Sequence, residues 1–304
     1  PVYGSIQKLH TRDSDLITLC EDKIFKILAN KDAVFNADGN AQLTANQNVL
    51  GQAVPFVGEH GISKNPESFA SESYRIYFTD KARGAVLRLS RDGINVISNH
   101  GMRNWFNDNL KLGEQLIGSY DDKKEEYNLT IKTHRFGITN PDYANTVSFK
   151  EDVKGWVSFK SFIPESGLSL GSNYYTFNLA GLYRHHIETI AGYNEFYSRP
   201  RVNSEITFIF NDATSISKEF QTVNYEGSRA RRQRFSTRDG LTETITPDNL
   251  FLSGNGGLSA GWFVSDIQTD LQRGSIPSFI KKEGKYYNYI TGANVDFTNS
   301  DDIG

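Results

Sequence analysis

The sequence predicts a mainly β fold of antiparallel hairpin units, which form a partial or complete β-propeller-like array followed by an additional β region. Two observations support this prediction. Apolar and polar residues alternate in short runs, and polar turns containing Asp and Gly separate the runs, as expected for antiparallel strands. A single unit of this kind leaves an open edge and an apolar face, so it needs copies of itself or partners. We predict two regions, 1–200 with the hairpin repeats and 201–304 with further β structure.

The clearest unit lies between Tyr74 and Ser98. Its alternating pattern predicts three strands, Arg75–Thr79, Ala85–Leu89 and Ile94–Ile97, which two turns connect. The first turn, Asp80–Gly84, is polar, and Asp80 is interpreted there as a solvated turn residue. The second turn is signalled by Asp92-Gly93.

Similar units recur at irregular intervals along the chain. Asp15–Leu28 also fits helical spacing, but the polar break at residues 21–23 favours a hairpin. Further hairpins or strands are predicted at Leu116–Ile131, Asn145–Ile163, Tyr174–Ile190, Ser204–Val223 and Trp262–Asp266. One helix is predicted around Met102–Leu112, and the Gly-, Asn- and Gln-rich stretch Asn36–Gly61 is predicted to be an irregular loop.

Composition narrows the class of protein. The 304 residues carry a net charge of -3, which argues against specific nucleic-acid recognition. No apolar run approaches the roughly 18 residues of a membrane span and no signal peptide is evident, so membrane insertion is not predicted. Cys20 is the single cysteine and is predicted to be a buried, unreactive thiol. Because the chain begins Pro1-Val2 without Met, we expect it to be a segment of a longer polypeptide.

No motif predicts catalysis, a cofactor or a metal. A G-x-S-x-G turn is absent, and His185-His186 would point to opposite faces of a strand. The calcium-loop-like stretch Asn36–Asn40 lacks the required glutamate, because Ala45 takes its place. Carboxylates that could serve a glycosidase, Asp121, Asp122, Glu125 and Glu126, fall in one turn and are interpreted as solvated. We therefore predict that the chain is not an enzyme.

Two groups of residues are candidates for an interface. The arginine cluster Arg229, Arg231, Arg232, Arg234 and Arg238 could contact phosphates or acidic protein surface, and a solvated loop explains it equally well. Given the acidic net charge, a protein contact is favoured over DNA. The aromatic residues Trp156, Tyr174 and Tyr175 could lie in a subunit interface, stack on sugars or simply pack between strands.

Long strings of the sequence resemble a known group of proteins. The strings are Gln7–Asn40, Asn65–Ile94, Lys154–Gly167 (KGWVSFKSFIPESG) and Ser275–Ile290 (SIPSFIKKEGKYYNYI). They are similar to segments of large tail-associated virion proteins of tailed bacteriophages, in particular the tail stabilisation or nozzle-type proteins of crAss-like and related marine phages. The resemblance extends from about Gln7 to Tyr289.

This resemblance implies a β-rich, propeller-containing subunit that forms a ring in the virion tail. Its partners would be copies of itself and other tail or portal-proximal proteins, and it would assemble in the cytoplasm of the host bacterium. No catalytic residues come with such a family. The alternative is a carbohydrate- or receptor-binding β module in which Trp156, Tyr174 and Tyr175 form stacking surfaces.

Overall fold

The chain folds into two compact units, Pro1–Ile206 and Thr207–Gly304, in a computed structural model. The structure describes residues 2–12, 15–35, 41–133, 144–187, 194–197, 203–210, 212–216, 218, 220–227, 230–231, 261–269 and 273–292, without the side chains of residues 29–49. Within these residues the fold is mainly β, with several antiparallel sheets.

The first unit contains four sheets that follow one another along the chain, and in each the strands pair in sequence order. Sheet A contains β1 (Ile6–Arg12), β2 (Asp15–Cys20), β3 (Ile24–Phe35) and β4 (Ala41–Pro55). Sheet B contains β5 (Ala70–Ser71), β6 (Ile76–Asp80), β7 (Ala85–Ser90) and β8 (Gly93–Val96). Sheet C contains β9 (Gly113–Asp121), β10 (Glu126–Thr133), β11 (Ala144–Lys150) and β12 (Gly155–Lys160). Sheet D contains β13 (Ser166–Leu170), β14 (Asn173–Asn178) and β15 (Gly181–Arg184).

Three short helical segments connect these sheets. Pro66–Ser68 and Ile97–Asn99 are single 3₁₀ turns, and α1 spans Arg103–Leu112. Phe106 and Leu110 are one turn apart on the buried side of α1, which is the spacing that an amphipathic helix requires.

Sheet B packs against sheet A through an apolar layer. Alternate residues of β6 and β7 face sheet A, because strand side chains alternate between the two faces. The buried residues that form this layer are Ile17, Leu19, Ile24, Ile62, Ile76, Phe78, Leu87 and Leu89. The side chains of this layer are therefore removed from water.

The opposite face of sheet B packs against sheet C and α1. This second core includes Tyr77, Phe106, Tyr127 and Leu129, and Tyr77 stacks on Tyr127 with ring centroids 4.9 Å apart. The backbones also approach closely here. A Cβ atom at Gly118 of β9 would lie 2.0 Å from the carbonyl oxygen of Ser68, so this position requires glycine.

The layer between sheets C and D is polar, unlike the first two. Across this layer, the hydroxyl groups of Ser119 in sheet C and Tyr174 in sheet D share a hydrogen bond of 2.7 Å. On the same face of sheet C, the hydroxyl groups of Thr130 and Thr146 share another of 2.7 Å. Thr146 also donates to the carbonyl of Phe162 at 2.7 Å. Because these buried hydroxyls bond to one another, they do not carry the cost of unpaired buried polar groups.

The described residues of the second unit form two three-stranded sheets. Their strands are β16 (Thr222–Tyr225), β17 (Val264–Gln268), β18 (Arg273–Ile276), β19 (Ile280–Lys282), β20 (Lys285–Tyr289) and β21 (Thr291–Gly292). Sheet E has the order β16-β20-β19 and sheet F the order β17-β18-β21. A small core of Ala230, Ile276, Phe279 and Tyr286 lies in this unit.

Most predicted hairpins are confirmed. The units at Asp15–Leu28, Tyr74–Ser98, Leu116–Ile131 and Asn145–Ile163 all form antiparallel strands, and α1 matches the predicted helix. Tyr174–Ile190 is confirmed as far as Arg184, and its last residues lie outside the described part of the chain. The strand predicted at Trp262–Asp266 begins two residues later.

Two predictions were wrong in the described residues. Asn36–Gly61 is not an irregular loop, because β4 pairs with β3 over much of it. As the edge strand of sheet A, β4 tolerates polar residues and Pro55, which a central strand would not. Conversely, residues 203–210 pair with no strand, and only β16 forms within Ser204–Val223.

Candidate interaction surfaces

The outer face of sheet D carries several apolar side chains together with the exposed Arg184, which lies beside Tyr175. The register of β13, β14 and β15 places Leu168 beside Tyr175 and Phe177 beside Leu182 on the face directed away from sheet C. Leu168, Leu170 and Leu182 are exposed, while Tyr175 and Phe177 are half-buried. Leu168 and Leu170 are close together on β13, whereas Leu182 lies two strands away on β15, so the exposed apolar side chains do not form one continuous patch.

The outer face of sheet A is the corresponding surface at the other end of the first unit. Leu9 and Thr11 of β1 are exposed there, and Leu16, Phe25 and Ile27 of β2 and β3 are half-buried beside them. The ring of Tyr3 packs edge-on against Phe25 with centroids 5.1 Å apart, which covers part of this face.

A third apolar surface is the extended segment Ile206–Phe210. The four apolar residues Ile206, Phe208, Ile209 and Phe210 are 60–90% exposed, and the rings of Phe208 and Phe210 lie 6.0 Å apart. Within the described part of the chain, no backbone hydrogen bond reaches Glu205–Phe210. Such a segment is chemically suited to pair with a strand of a partner protein.

Asp80 is a buried anchor and not the solvated turn residue that the sequence predicted. Its carboxylate is fully buried and accepts hydrogen bonds from Ser63 Oγ at 3.2 Å, Arg83 N at 3.1 Å and Arg83 Nη1 at 3.0 Å. Gly61 N and His60 Nδ1 both lie 3.4 Å from the same carboxylate. Burial acts to raise the pKa of Asp80, but the bonds from His60 and Arg83 outweigh it and hold this pKa below its usual value.

The turn between β9 and β10 shows the same departure from the prediction. Asp121 and Glu126 are 2% and 9% exposed, so they are not solvated, whereas Asp122 and Glu125 are exposed as predicted. The Asp121 carboxylate accepts bonds from the backbone N–H groups of Lys123 and Lys124 and lies 2.6 Å from His186 Nε2. Aspartate at the first position of a turn is the sequence signal for this role.

His185 is buried in the first unit, directly before His186. Its Nε2 lies 2.7 Å from Thr176 Oγ1, and its ring packs against Phe162. Burial, together with the nearby His186, lowers the pKa of His185 to about 4, although Asp121 opposes the shift. His185 is therefore held neutral by its surroundings.

Stability is expected to fall as the pH drops from about 6.5 to about 4. His185 has a lower pKa in the folded chain than in the unfolded chain, so the unfolded state binds more protons in this window. We expect His185 to contribute up to about 3 kcal/mol to this loss. Urea unfolding at a series of pH values measures it.

The variant His185→Gln isolates this contribution, and His100→Gln, at an exposed position, is its control. The pH dependence should become shallower in His185→Gln and stay unchanged in the control. Some dependence of stability on pH should remain in His185→Gln, because burial and the charges of Lys8 and Arg12 also lower the pKa of His10. An unchanged slope in His185→Gln would contradict the burial of a neutral His185.

The predicted interface residues lie in different surroundings. Tyr174 is 1% exposed and packs within the first unit, and Trp156 is half-buried with its Nε1 donating to the carbonyl of Ile97 at 3.1 Å. Tyr175 lies on the outer face of sheet D. Arg231 stacks on Phe263 with its guanidinium carbon 3.5 Å from the ring centroid. The backbone N–H of Arg231 donates to the carbonyl of Trp262. The other cluster arginines, Arg229, Arg232, Arg234 and Arg238, lie outside the described residues.

Among the described residues, no group of three or more His, Cys, Asp or Glu side chains is placed to hold a metal ion. No helix in the same part of the chain is long and apolar enough to cross a membrane.

Comparison with protein families identifies the group to which the chain is related. The crassvirus muzzle protein family matches residues 2–179, which is more than half of the chain. The C-terminal domain of the crassvirus muzzle protein matches residues 192–293. No match to the chain was found among curated proteins. Since the two matches follow one another and together extend over most of the sequence, the chain belongs to the crassvirus muzzle protein family.

Proposed function

We propose that the chain is a structural subunit of the tail of a crAss-like bacteriophage virion, where copies assemble into a ring through β-rich interfaces. The observation that carries this proposal is the pair of family matches at residues 2–179 and 192–293. The family is one of structural virion proteins, which argues against an enzymatic role. Its partners would be copies of itself and other tail or portal-proximal proteins in the virion.

The arrangement of sheets supports a propeller-like first unit. Sheets A, B and C are consecutive four-stranded meanders, as the blades of a propeller are. The first strand of sheet C, β9, contacts the first strands of both neighbouring sheets, β5 and β13. In propellers the first strands of successive blades lie side by side around the axis. We propose that residues 1–200 form such an array and residues 201–304 a separate β domain.

The exposed apolar surfaces support a role in assembly. The outer face of sheet D and the segment Ile206–Phe210 expose large apolar side chains that contacts with other virion subunits would cover. The alternative, a carbohydrate-binding module, receives less support from the same geometry. Tyr174 is buried and the Trp156 ring packs against Phe106 with centroids 4.4 Å apart, so neither ring forms an open stacking platform. Of the three aromatic residues only Tyr175 lies on an outer face, where it is half-buried.

Mass spectrometry of purified virions of the phage that encodes this chain tests the proposal. We expect peptides from both units, in amounts comparable to those of other tail proteins. A replication protein of the same phage, abundant in infected cells, serves as the control for contamination. If intact virions lacked the chain while containing the other tail proteins, the proposed function would be wrong.

A further inference from the structure

We infer that residues 194–197 form a strap over His185, and that protonation of His185 opens this strap. The strap belongs to the first unit and packs on the face of sheet D that carries Tyr174 and Thr176. The switch works within one subunit, so it does not depend on the proposed place of the chain in a virion. Acid is its trigger.

Two aromatic side chains hold the strap in place. The ring of Phe196 packs against Phe162 and His185, with centroids 5.3 and 5.7 Å apart. The ring of Tyr197 packs edge-on against Tyr183, with centroids 4.8 Å apart. Both strap rings are half-buried, whereas His185 beneath them is only 8% exposed. The strap therefore forms one wall of the site that buries His185.

Hydrogen bonds also join the strap to His185. Thr176 of β14 is fully buried, and its Oγ1 lies 2.9 Å from the hydroxyl of Tyr197 and 2.7 Å from His185 Nε2. A neutral His185 fits this chain of bonds in either tautomer, because a threonine hydroxyl both donates and accepts. Protonation adds a positive charge that hydroxyl groups and aromatic rings do not neutralise.

The charged groups near His185 do not offset this charge. Asp121 is paired with His186, whose Nε2 lies 2.6 Å from the carboxylate, and His186 itself disfavours a charge on His185. Burial is the largest effect, and the pKa of His185 lies at about 4. Tyr174 and Tyr197 also face the ring, and phenol groups are neutral in acid. The charged residues next to these groups in the chain are exposed, namely Lys123, Arg184 and Glu195.

Opening of the strap is therefore linked to the pH. A histidine in contact with water has a pKa of about 6.5, so the open form binds more protons than the closed form as the pH falls from about 6.5 to about 4. Within this window, each unit of pH should raise the ratio of open to closed chains by up to about tenfold. Above it, His185 is neutral in both forms and the strap stays closed.

The strap also contacts the residues that lead into the exposed apolar segment. Asn194 Nδ2 donates to Ser204 Oγ at 2.5 Å, and Ser204 lies two residues before Ile206–Phe210. Opening of the strap breaks this contact, so acid should release the chain immediately before the apolar segment.

A histidine NMR titration of the full chain tests whether the strap covers His185. The His185 signal is assigned by its absence in His185→Gln, and in wild type it should titrate well below the ordinary pH of about 6.5. Phe196→Ala removes one wall of the site, so the pKa of His185 should rise by about one unit or more. The control Phe208→Ala removes an exposed ring and should leave the titration unchanged. An unchanged His185 titration in Phe196→Ala would overturn the inference.

A spin label on the strap measures its opening. Glu195 is exposed, so a label on Glu195→Cys leaves Phe196 and Tyr197 in place, and Cys20 is buried and does not compete for the reagent. The label should be immobile at about pH 7 and become mobile as the pH falls to about 4, while the circular dichroism spectrum stays native. In the His185→Gln background it should stay immobile throughout, because glutamine does not titrate.

Three results of the labelling experiment would contradict the switch. A label that stays immobile while His185 titrates would show that the strap does not respond to protonation. Motion that increases only together with loss of the circular dichroism signal would mean unfolding of the unit and not opening of a strap. An equal response to acid in wild type and His185→Gln would assign that response to another group.

Discussion

Replacing Asp80 with alanine is expected to lower the free energy of unfolding of the first unit by about 3–5 kcal/mol. The substitution removes the acceptor for the N–H groups of Gly61 and Arg83 and for the hydroxyl of Ser63. The exposed Arg83 guanidinium, 3.0 Å from this carboxylate, can turn to water or to Asp22 at 3.7 Å. The buried N–H of Gly61 and the part-buried donors of Ser63 and Arg83 N lose their acceptor, and this accounts for most of the cost.

Urea unfolding of the two variants Asp80→Ala and Asp92→Ala measures this effect. Asp92 is an exposed aspartate in the next turn of the same sheet, so its replacement should change stability by no more than about 0.5 kcal/mol. The contribution of Asp80 also depends on pH. Because its pKa is lower when folded, this contribution is complete above about pH 4 and is lost as the pH falls through the folded pKa. Equal effects of the two alanines would show that Asp80 is not an anchor.

Truncation of Phe106 to alanine is expected to destabilise the first unit by about 3–5 kcal/mol. Its ring is fully buried between sheets B and C, with centroids 4.9 Å from Trp105 and 4.4 Å from Trp156. The surrounding strands belong to two sheets and cannot collapse fully into the space that the ring leaves. The midpoint of urea unfolding measures the change.

Leu112→Ala is the control for Phe106→Ala. Leu112 is the last residue of α1 and is exposed, so its truncation should change stability by about 0.5 kcal/mol or less. A loss below about 1 kcal/mol in Phe106→Ala would mean that α1 does not join sheets B and C.

The strands of the first unit could be predicted because their signals are local. Alternation and turn residues define β6, β7, β9 and β10 without knowledge of what covers them. β4 could not be predicted in this way, because its Asn- and Gln-rich sequence forms a strand only through pairing with β3. The reverse holds for Ile206–Phe210, which has strong β propensity and yet finds no partner strand in the described chain.

The candidate surfaces depended on information that a single sequence does not carry. Tyr174 and Tyr175 are adjacent aromatic residues of β14, and only the order of the sheets shows that Tyr174 is covered by sheet C while Tyr175 lies on the outer face. Asp80 and Asp121 are ordinary turn aspartates in sequence. In the structure each lies beside a histidine, His60 and His186 respectively, which a distant segment brings to the same turn.

The central claim is that this chain is a structural subunit of the tail of a crAss-like phage virion, where its copies form a ring. Cryo-electron microscopy of the tail of the purified virion tests it most directly. The expected map shows a ring of copies of this chain, in which the consecutive antiparallel sheets of the first unit can be traced. A tail without this chain, or copies that form no ring, would contradict the claim.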